Sequence, residues 1–594
     1  MVNEHDLELS DATDGYVLET LDDPATSEGN RLLSPGEHDG WIEHDGSSLG
    51  GNPLTSAYGD SAREGLPTRQ KWRVFLIANG LAALVHGYGV TCASNIEGPI
   101  HKDFRSINLL PLVGLTYAVV AAACIPLACQ LVKICDLKVL YLISLVIMAV
   151  GCILAGTARK IDCVLGGRAI MAVGGSVLYH AMSINTIYAQ PNELVFAQAW
   201  LGAVFTIGLA GGPLIGGAIA DSPHTWRWAF YIVLPLLGIA LILFVIVLPR
   251  HRVQTNKPAL TWFRELDWLG NWLHVGTFLL FTVACVSSGP SWEWNSHSAV
   301  GVWVAFAIMV LAYTGQQAVN LGIANEGRIF PWSLLRSRTV FLTWVCTFCA
   351  AGACSIVLYY TPIYFVLMRV HSRLDATSRL IPFICAFVVS TLLTGGLIGY
   401  IRAYRLAFMV GAALLALGSG LLHGITPDTT DHAIRAYEAF IGAGIGTIWH
   451  LATPVCALIL PAERHLDQAA LQSIAQFGGI VAARSAAAVI YHDIGARLLK
   501  EAVADAAYSD EDIRELLSGI RSTILTETNP DTVVLVFEII VEATARCFSV
   551  LVIAGVVCFV AACCMKAEEL DFWDARKKLA APPPGDRRNQ SLPI

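Results

Sequence analysis

Residues 208–217 read Gly208-Leu209-Ala210-Gly211-Gly212-Pro213-Leu214-Ile215-Gly216-Gly217, inside an apolar stretch that runs from 196 to 220. Glycines four and five residues apart share one face of a helix and leave a groove into which a second backbone can settle. Pro213 removes one backbone hydrogen bond and bends the helix that carries it. The stretch therefore predicts a hinged helix packed closely on a partner. Its length predicts a membrane crossing, because a hydrocarbon core about 30 Å thick needs about 20 apolar residues at the helical rise of about 1.5 Å each.

Laid along the whole chain, that ruler finds fourteen such stretches: 74–95, 109–131, 138–157, 163–188, 196–220, 227–248, 268–287, 299–318, 340–366, 379–400, 406–425, 434–459, 468–491 and 543–564. Backbone polar groups in lipid must bond within their own segment, and these runs are too long and too unalternating for barrel strands. The fold class expected is all-α, a polytopic membrane protein. Composition agrees: 55% of the 594 residues are hydrophobic and 14% charged, against about 25% charged in a soluble domain. The net charge of -8 sits largely in polar tails and one long loop, so no nucleic-acid partner is expected.

The tail 1–73 is acidic and rich in Ser, Gly, Asp and Pro, and the tail 565–594 is also polar; both are expected to be disordered. The first lacks the basic region and short apolar core of a cleaved signal peptide, so the first span is expected to direct insertion. An even number of spans puts both tails on one side, and the basic residues favour that side as cytoplasmic. Arg69, Lys71 and Arg73, then Arg250, Arg252, Lys257 and Arg264, then Arg576, Lys577 and Lys578 carry the bias, against Arg159 and Lys160. Segment 492–542 is then a long loop outside, with Asp510 to Leu525 either an amphipathic helix at the mouth or a solvated connector. Glu28 to Leu33 fits an acidic dileucine sorting signal.

The 16 cysteines are scattered without metal-ligand spacing and read as small apolar packing residues. Cys563 and Cys564, beside Lys566, fit either palmitoylation or lipid-facing packing. The histidines His86, His180, His274, His423 and His450 are isolated on different spans, so neither a metal, a cofactor nor an enzyme is expected.

The ten residues from Gly208 match G-x-x-x-G-P-x-x-G-G, the antiporter signature of the major facilitator superfamily. Ala220-Asp221 and the following Thr225-Trp226-Arg227-Trp228-Ala229-Phe230-Tyr231-Ile232 resemble its fungal fourteen-span drug:proton antiporter branch. The resemblance continues through Asp267-Trp268-Leu269-Gly270, Tyr359-Tyr360-Thr361-Pro362-Ile363-Tyr364-Phe365, Arg379-Leu380-Ile381-Pro382-Phe383 and Gly442-Ala443-Gly444-Ile445-Gly446, and within that branch the chain is most similar to toxin and secondary-metabolite efflux carriers. It implies two six-helix bundles, 74–248 and 340–564, around a central cavity, joined by a two-helix insert at 268–318. It also implies proton-coupled export of a small amphipathic molecule by a monomer in the plasma membrane, or in a vacuolar or vesicular one. Import by the same fold, for example of siderophore-iron, and a non-transporting sensor are the alternatives.

Charge inside a span is costly and marks function by default. Arg168 matches the arginine that the family links to proton coupling. The loop between the second and third spans departs from the family, with Lys133 where an Asp is usual, and Asp136 and Lys138 left as a possible charge lock. The first span carries no acid until Glu97 at its outer end, and no carboxylate lies deep in any expected span. Proton carriers are then sought in His86, His180 or His450, whose ordinary pKa of about 6.5 suits cycling near neutrality, with packing histidines as the alternative. Arg484 lies mid-span and either faces an anionic substrate or lines water. Tyr179, Trp200, Tyr359, Tyr360, Phe383 and Trp449 are expected to supply a pocket that grips flat ligands by area and stacking.

Overall fold

The computed structural model describes residues 69–567, apart from 94, 106–108, 182–190, 251, 253–257, 259–260, 262, 265, 290–291, 320–329, 369–371, 402, 462–463, 503–508 and 518–529. Residues 1–68 and 568–594, with the dileucine-like stretch and Arg576 to Lys578, and Lys257 lie outside the described residues, whereas Arg69 to Arg73 of the expected first tail are already helical, as the start of the first span. The described residues fold as α1 (Arg69–Thr91), α2 (Glu97–Phe104), α3 (Leu110–Ile134), α4 (Leu137–Gly156), α5 (Ile161–Ala181), α6 (Pro191–Ala220), α7 (Trp228–Tyr231), α8 (Val233–Val247), α9 (Trp268–Ser287) and α10 (His297–Val319). They continue as α11 (Arg338–Met368), α12 (Arg373–Ser378), α13 (Ile381–Ile401), α14 (Tyr404–His423), α15 (Asp431–Ile448), α16 (Ala452–Ile459), α17 (His465–Ala502), α18 (Asp510–Leu517), α19 (Pro530–Cys547) and α20 (Ser549–Cys563). Among the described residues, fourteen helical stretches are long and apolar enough to cross a membrane, and each coincides with one expected from the sequence.

Local chemistry sets the ends and breaks. Asp136, Asp267, Ser372 and Thr430 precede α4, α9, α12 and α15, and each side chain accepts a hydrogen bond from a first-turn backbone N–H. That satisfies one of the donors a helix start leaves unpaired. The break between α7 and α8 falls at Ile232, next to the Tyr231 carbonyl that Pro235 cannot serve. The break between α15 and α16 spans Trp449 to Leu451, around the His450 carbonyl that Pro454 cannot serve.

Two expectations are corrected. The outside loop is not 492–542: α17 runs on to Ala502 and α19 begins at Pro530. Leu499 is buried beyond the expected end of the span, Val536, Ile539 and Ile540 are buried before its expected restart, and a charge on the opposite face of each helix hides this in a plain hydropathy count. Asp510–Leu517 is helical and buries Ile513, Leu516 and Leu517, with Leu517 against Gly495 of α17; residues 518–525 lie outside the described residues. The Asp136–Lys138 lock is also replaced. Asp136 caps α4, while Lys138 Nζ donates to the Val245 carbonyl at 2.6 Å.

The first six spans pack on one another, α4 on α5, α1 on α6 and α3 on α5; the last six do likewise, α13 and α14 on α15 and α11 on α17. Between these sets, α17 meets α3 and α6 meets α13. The pair α9 and α10 stands to one side. His274 pins it, with Nε2 3.2 Å from the Ala122 carbonyl of α3 and Nδ1 3.2 Å from Tyr313 Oη of α10. Outward positions carry bare apolar side chains, such as Ile246 at 72% and Leu311 at 70% exposure, as a lipid-facing surface requires.

Candidate functional site

The glycine run of α6 lies against α1. A Cβ on Gly208 would collide with the Leu84 carbonyl, and one on Gly212 would sit 2.6 Å from the Thr91 carbonyl carbon, so only glycine permits this approach. Pro213 leaves the Leu209 carbonyl without its helical donor, and Thr91 Oγ1 donates to it at 2.8 Å. Gly217 points elsewhere: a Cβ there would meet the Arg373 carbonyl of the second half at 3.0 Å. The run thus joins α1 to α6 and ends where the two halves touch. Gly216 is buried in the same helix.

A small cavity of about 30 Å³ lies between the halves, lined by Tyr179 of α5, Gln198, Leu201 and Phe205 of α6, His450 just before α16, Thr453 of α16, and Ala469, Gln472, Ser473 and Gln476 of α17. Gln468, Gln472 and Gln476 recur every four residues and so share one face of α17. Tyr179 Oη donates to Gln476 Oε1 across the seam, whereas Gln472 Oε1 finds no donor among the described residues. Rings close one wall. His86 lies 2.8 Å from Tyr117 Oη and stacks on Tyr179 at 4.8 Å and Phe205 at 5.8 Å, while Phe205 contacts Trp449 at 6.2 Å. Gly202 has no side chain where the His450 ring passes.

Both ends are held. At the end where α1 begins, here the near end, Lys133 of α3 pairs with Asp467 of α17. At the far end Tyr359 Oη donates to Glu97 Oε2 at 3.0 Å, and Arg484 Nη2 stands 4.0 Å from Glu97 Oε1. Arg484 also donates to the Gly114 carbonyl at 3.3 Å and lies over the Tyr359 ring at 3.9 Å. Asn95 Nδ2 donates to Thr377 Oγ1 at 2.7 Å, Arg373 to the Asn95 carbonyl at 3.2 Å, and the Leu374 N–H to Asp221 at 2.9 Å. Burial pushes the Glu97 carboxyl above its ordinary range against the pull of Arg484.

Of the residues expected at the site, the structure brings Tyr179 and His450 to the cavity, with His86 and Trp449 in the ring wall behind it. The remainder fall elsewhere. Trp200 reaches the Leu76 carbonyl at 3.4 Å from a position 37% exposed. Tyr360 packs on Tyr491, and Phe383 on Phe387. His180 is buried but does not line the cavity. Arg168 is fully buried, donates to Cys92 Sγ at 3.0 Å and lies 5.9 Å from the Tyr117 ring centre. Tyr359 and Arg484 belong to the far-end cluster rather than to a pocket: the Tyr359 hydroxyl is given to Glu97, and Arg484 stands beside the same carboxylate.

The sequence reading missed the glutamines of α17, whose four-residue recurrence in an apolar span was the available signal. It also missed Asp467, which supplies the acid that Lys133 faces. The expectation that no carboxylate lies deep in a span is overturned by Glu438. It sits fully buried in α15, beside Thr361 and within reach of the Arg435 charge. It is the fifth residue of the expected span, but the helix starts earlier, at Asp431, which carries Glu438 deeper.

A family model described as Major Facilitator Superfamily matches residues 80–483. The chain is 28% identical over 496 residues to efflux pump patC of Aspergillus clavatus, covering 83% of this chain and 90% of that protein. It is 26% identical over 500 residues to MFS-type transporter patC of Penicillium expansum, covering 83% and 91%. The solved structure of the human organic anion transporter MFSD10 superposes with a TM-score of 0.54 at 13% identity, over 83% of this chain and all of that one, a likeness of fold.

Proposed function

The chain belongs to the Major Facilitator Superfamily, and from that premise we propose that it exports small, uncharged amphipathic molecules in exchange for protons by alternating access. The observation that carries this reading is the cavity between the halves, whose lining holds amides, hydroxyls, an imidazole and rings but no Asp, Glu, Lys or Arg. Such a lining grips a flat apolar body by area and stacking, while the amides take up carbonyl and hydroxyl groups. Its volume is far below the roughly 300 Å³ a drug-sized ligand needs, and both ends are held by contacts between halves. This is the geometry of a carrier closed at both ends.

In this reading 74–248 and 340–564 are the two bundles that rock about the cavity, and α9 with α10 is a linker against lipid. The near end is cytoplasmic, the carrier works as a monomer, and the plasma membrane is its place. The direction rests on the α6 signature and on the relatives named as efflux pumps. Arg168, His86, His180 and His450 are the proton-coupling residues expected from the sequence, and Arg168 supports coupling best, since its charge reaches Glu97.

The test uses inside-out vesicles with an acidic lumen and a panel of neutral carbonyl-bearing molecules, radiolabelled cycloheximide first. Uptake above that of control vesicles, abolished by a protonophore, is the expected result. Uptake that survives collapse of the gradient would leave facilitated diffusion as the mechanism.

A further inference from the structure

At the far end the Glu97 carboxylate is bonded by one side chain of the opposite half and approached by a second, and the site is shaped for it. The Glu97 and Arg484 side chains are 13% and 9% exposed. A Cβ on Gly114 would lie 2.7 Å from Glu97 Oε1 and collide with the Arg484 guanidinium, so α3 leaves a pit in which the two charges meet. Glu97 and Gly114 belong to the first half; Tyr359 of α11 and Arg484 of α17 belong to the second. The charges of Arg373 of α12 and Arg168 of α5 also reach the carboxyl, His101 lies one turn along α2, and Asp221 of α6 offsets Arg373.

The pairing is incomplete. Oε2 receives the Tyr359 hydroxyl, but Oε1 receives no hydrogen bond: at 4.0 Å Arg484 acts on it as a charge, beyond hydrogen-bonding range, and gives its hydrogen bond to the Gly114 carbonyl while lying over the Tyr359 ring. Removing a carboxylate from water costs several kcal/mol unless hydrogen bonds and a close partner replace the lost hydration. Here the replacement is partial. The closed seam therefore holds the neutral carboxyl better than the ionised one, whereas an open, hydrated seam has no such preference.

We propose that Glu97 is a proton-binding site of the transport cycle, and that its protonation draws the far end shut while its ionisation releases it. The proposal rests on the proton-coupled reading above and names its site. The sign follows by linkage: burial raises the carboxyl in the closed seam, the closed form binds the proton more tightly, and acid therefore shifts the population toward closure. A proton arriving at an open far end would then close it, as export in exchange for protons requires.

The test needs no substrate, so it stands or falls apart from the vesicle experiment. Nitroxide-bearing non-natural residues at the exposed positions His224 and Asp428, on far-end loops of opposite halves, report the gap by pulsed electron resonance on the full chain in nanodiscs. The wild-type distance distribution is expected to move from long to short as the buffer goes from mildly alkaline to mildly acidic. Glu97→Gln should show the short distance at both. Arg484→Gln, which removes the largest compensating charge, should move the midpoint up by about one pH unit, a tenfold gain in proton affinity. A wild-type seam that opens in acid, or a Glu97→Gln seam that follows pH as wild type does, would overturn the proposal. Loss of vesicle uptake on collapsing the gradient decides the exchange reading separately.

Discussion

Arg168 and the α17 glutamines mark the limits of reading single residues. Arg168 was legible because a guanidinium in an apolar span is rare and costly, and it is fully buried with only Cys92 as its named acceptor. Arg168→Ala should lower transport at least about tenfold, equivalent to about 1.4 kcal/mol, with normal membrane insertion; vesicle uptake together with surface labelling checks this, and near-normal uptake would remove Arg168 from the mechanism. The glutamines were not legible, since an amide carries no charge to draw attention and three of them dilute easily among Ala, Ile and Leu. If they hold the cargo, Gln472→Leu should weaken apparent affinity for a neutral carbonyl-bearing substrate by about fivefold, the worth of one hydrogen bond of about 1 kcal/mol, with the maximal rate little changed. An equal fall in maximal rate and affinity would point to a packing role instead.

Elements were the most legible scale, because hydrocarbon thickness fixes how long an apolar run must be. All fourteen spans follow from that one length. Their ends did not follow where helices leave the lipid half-buried: the continuation of α17 and the start of α19 are covered by each other and by α18, not by the bilayer, so their exposed charges read as loop. The glycine run of α6 was legible as a close contact, but its partner needed the structure. Gly208→Val should force α6 from α1 at the Leu84 carbonyl, costing about 1–3 kcal/mol by overpacking. Thermal unfolding of the purified protein should fall accordingly, whereas Gly211→Val, with no neighbour closer than 3.7 Å, should leave it nearly unchanged. Equal losses from both would show that this seam is not where the run acts.

For the molecule as a whole, what the sequence could not convey is that one helix pair serves both ends. α3 and α17 run antiparallel, meeting through Lys133 and Asp467 near one end and through Gly114 and Arg484 near the other. From Asp467 to Arg484 the helix rises about 26 Å at about 1.5 Å per residue, most of a bilayer core. Hydropathy places each residue at a depth, but only packing brings Glu97, Tyr359 and Arg484 together from three distant parts of the chain. A carrier fastened at both ends must release one at a time, and the far end must open for cargo to leave.

That opening can be measured through Asp221 and Leu374, which touch across the far end and are both exposed. In an Asp221→Cys/Leu374→Cys protein whose two thiols are alkylated by a short bismaleimide with an internal disulfide, gradient-driven uptake into inside-out vesicles should stop and return when the disulfide is reduced, with each single variant unaffected by the reagent. Undiminished uptake by the bridged protein would contradict the account, because cargo would then be crossing without the two halves parting.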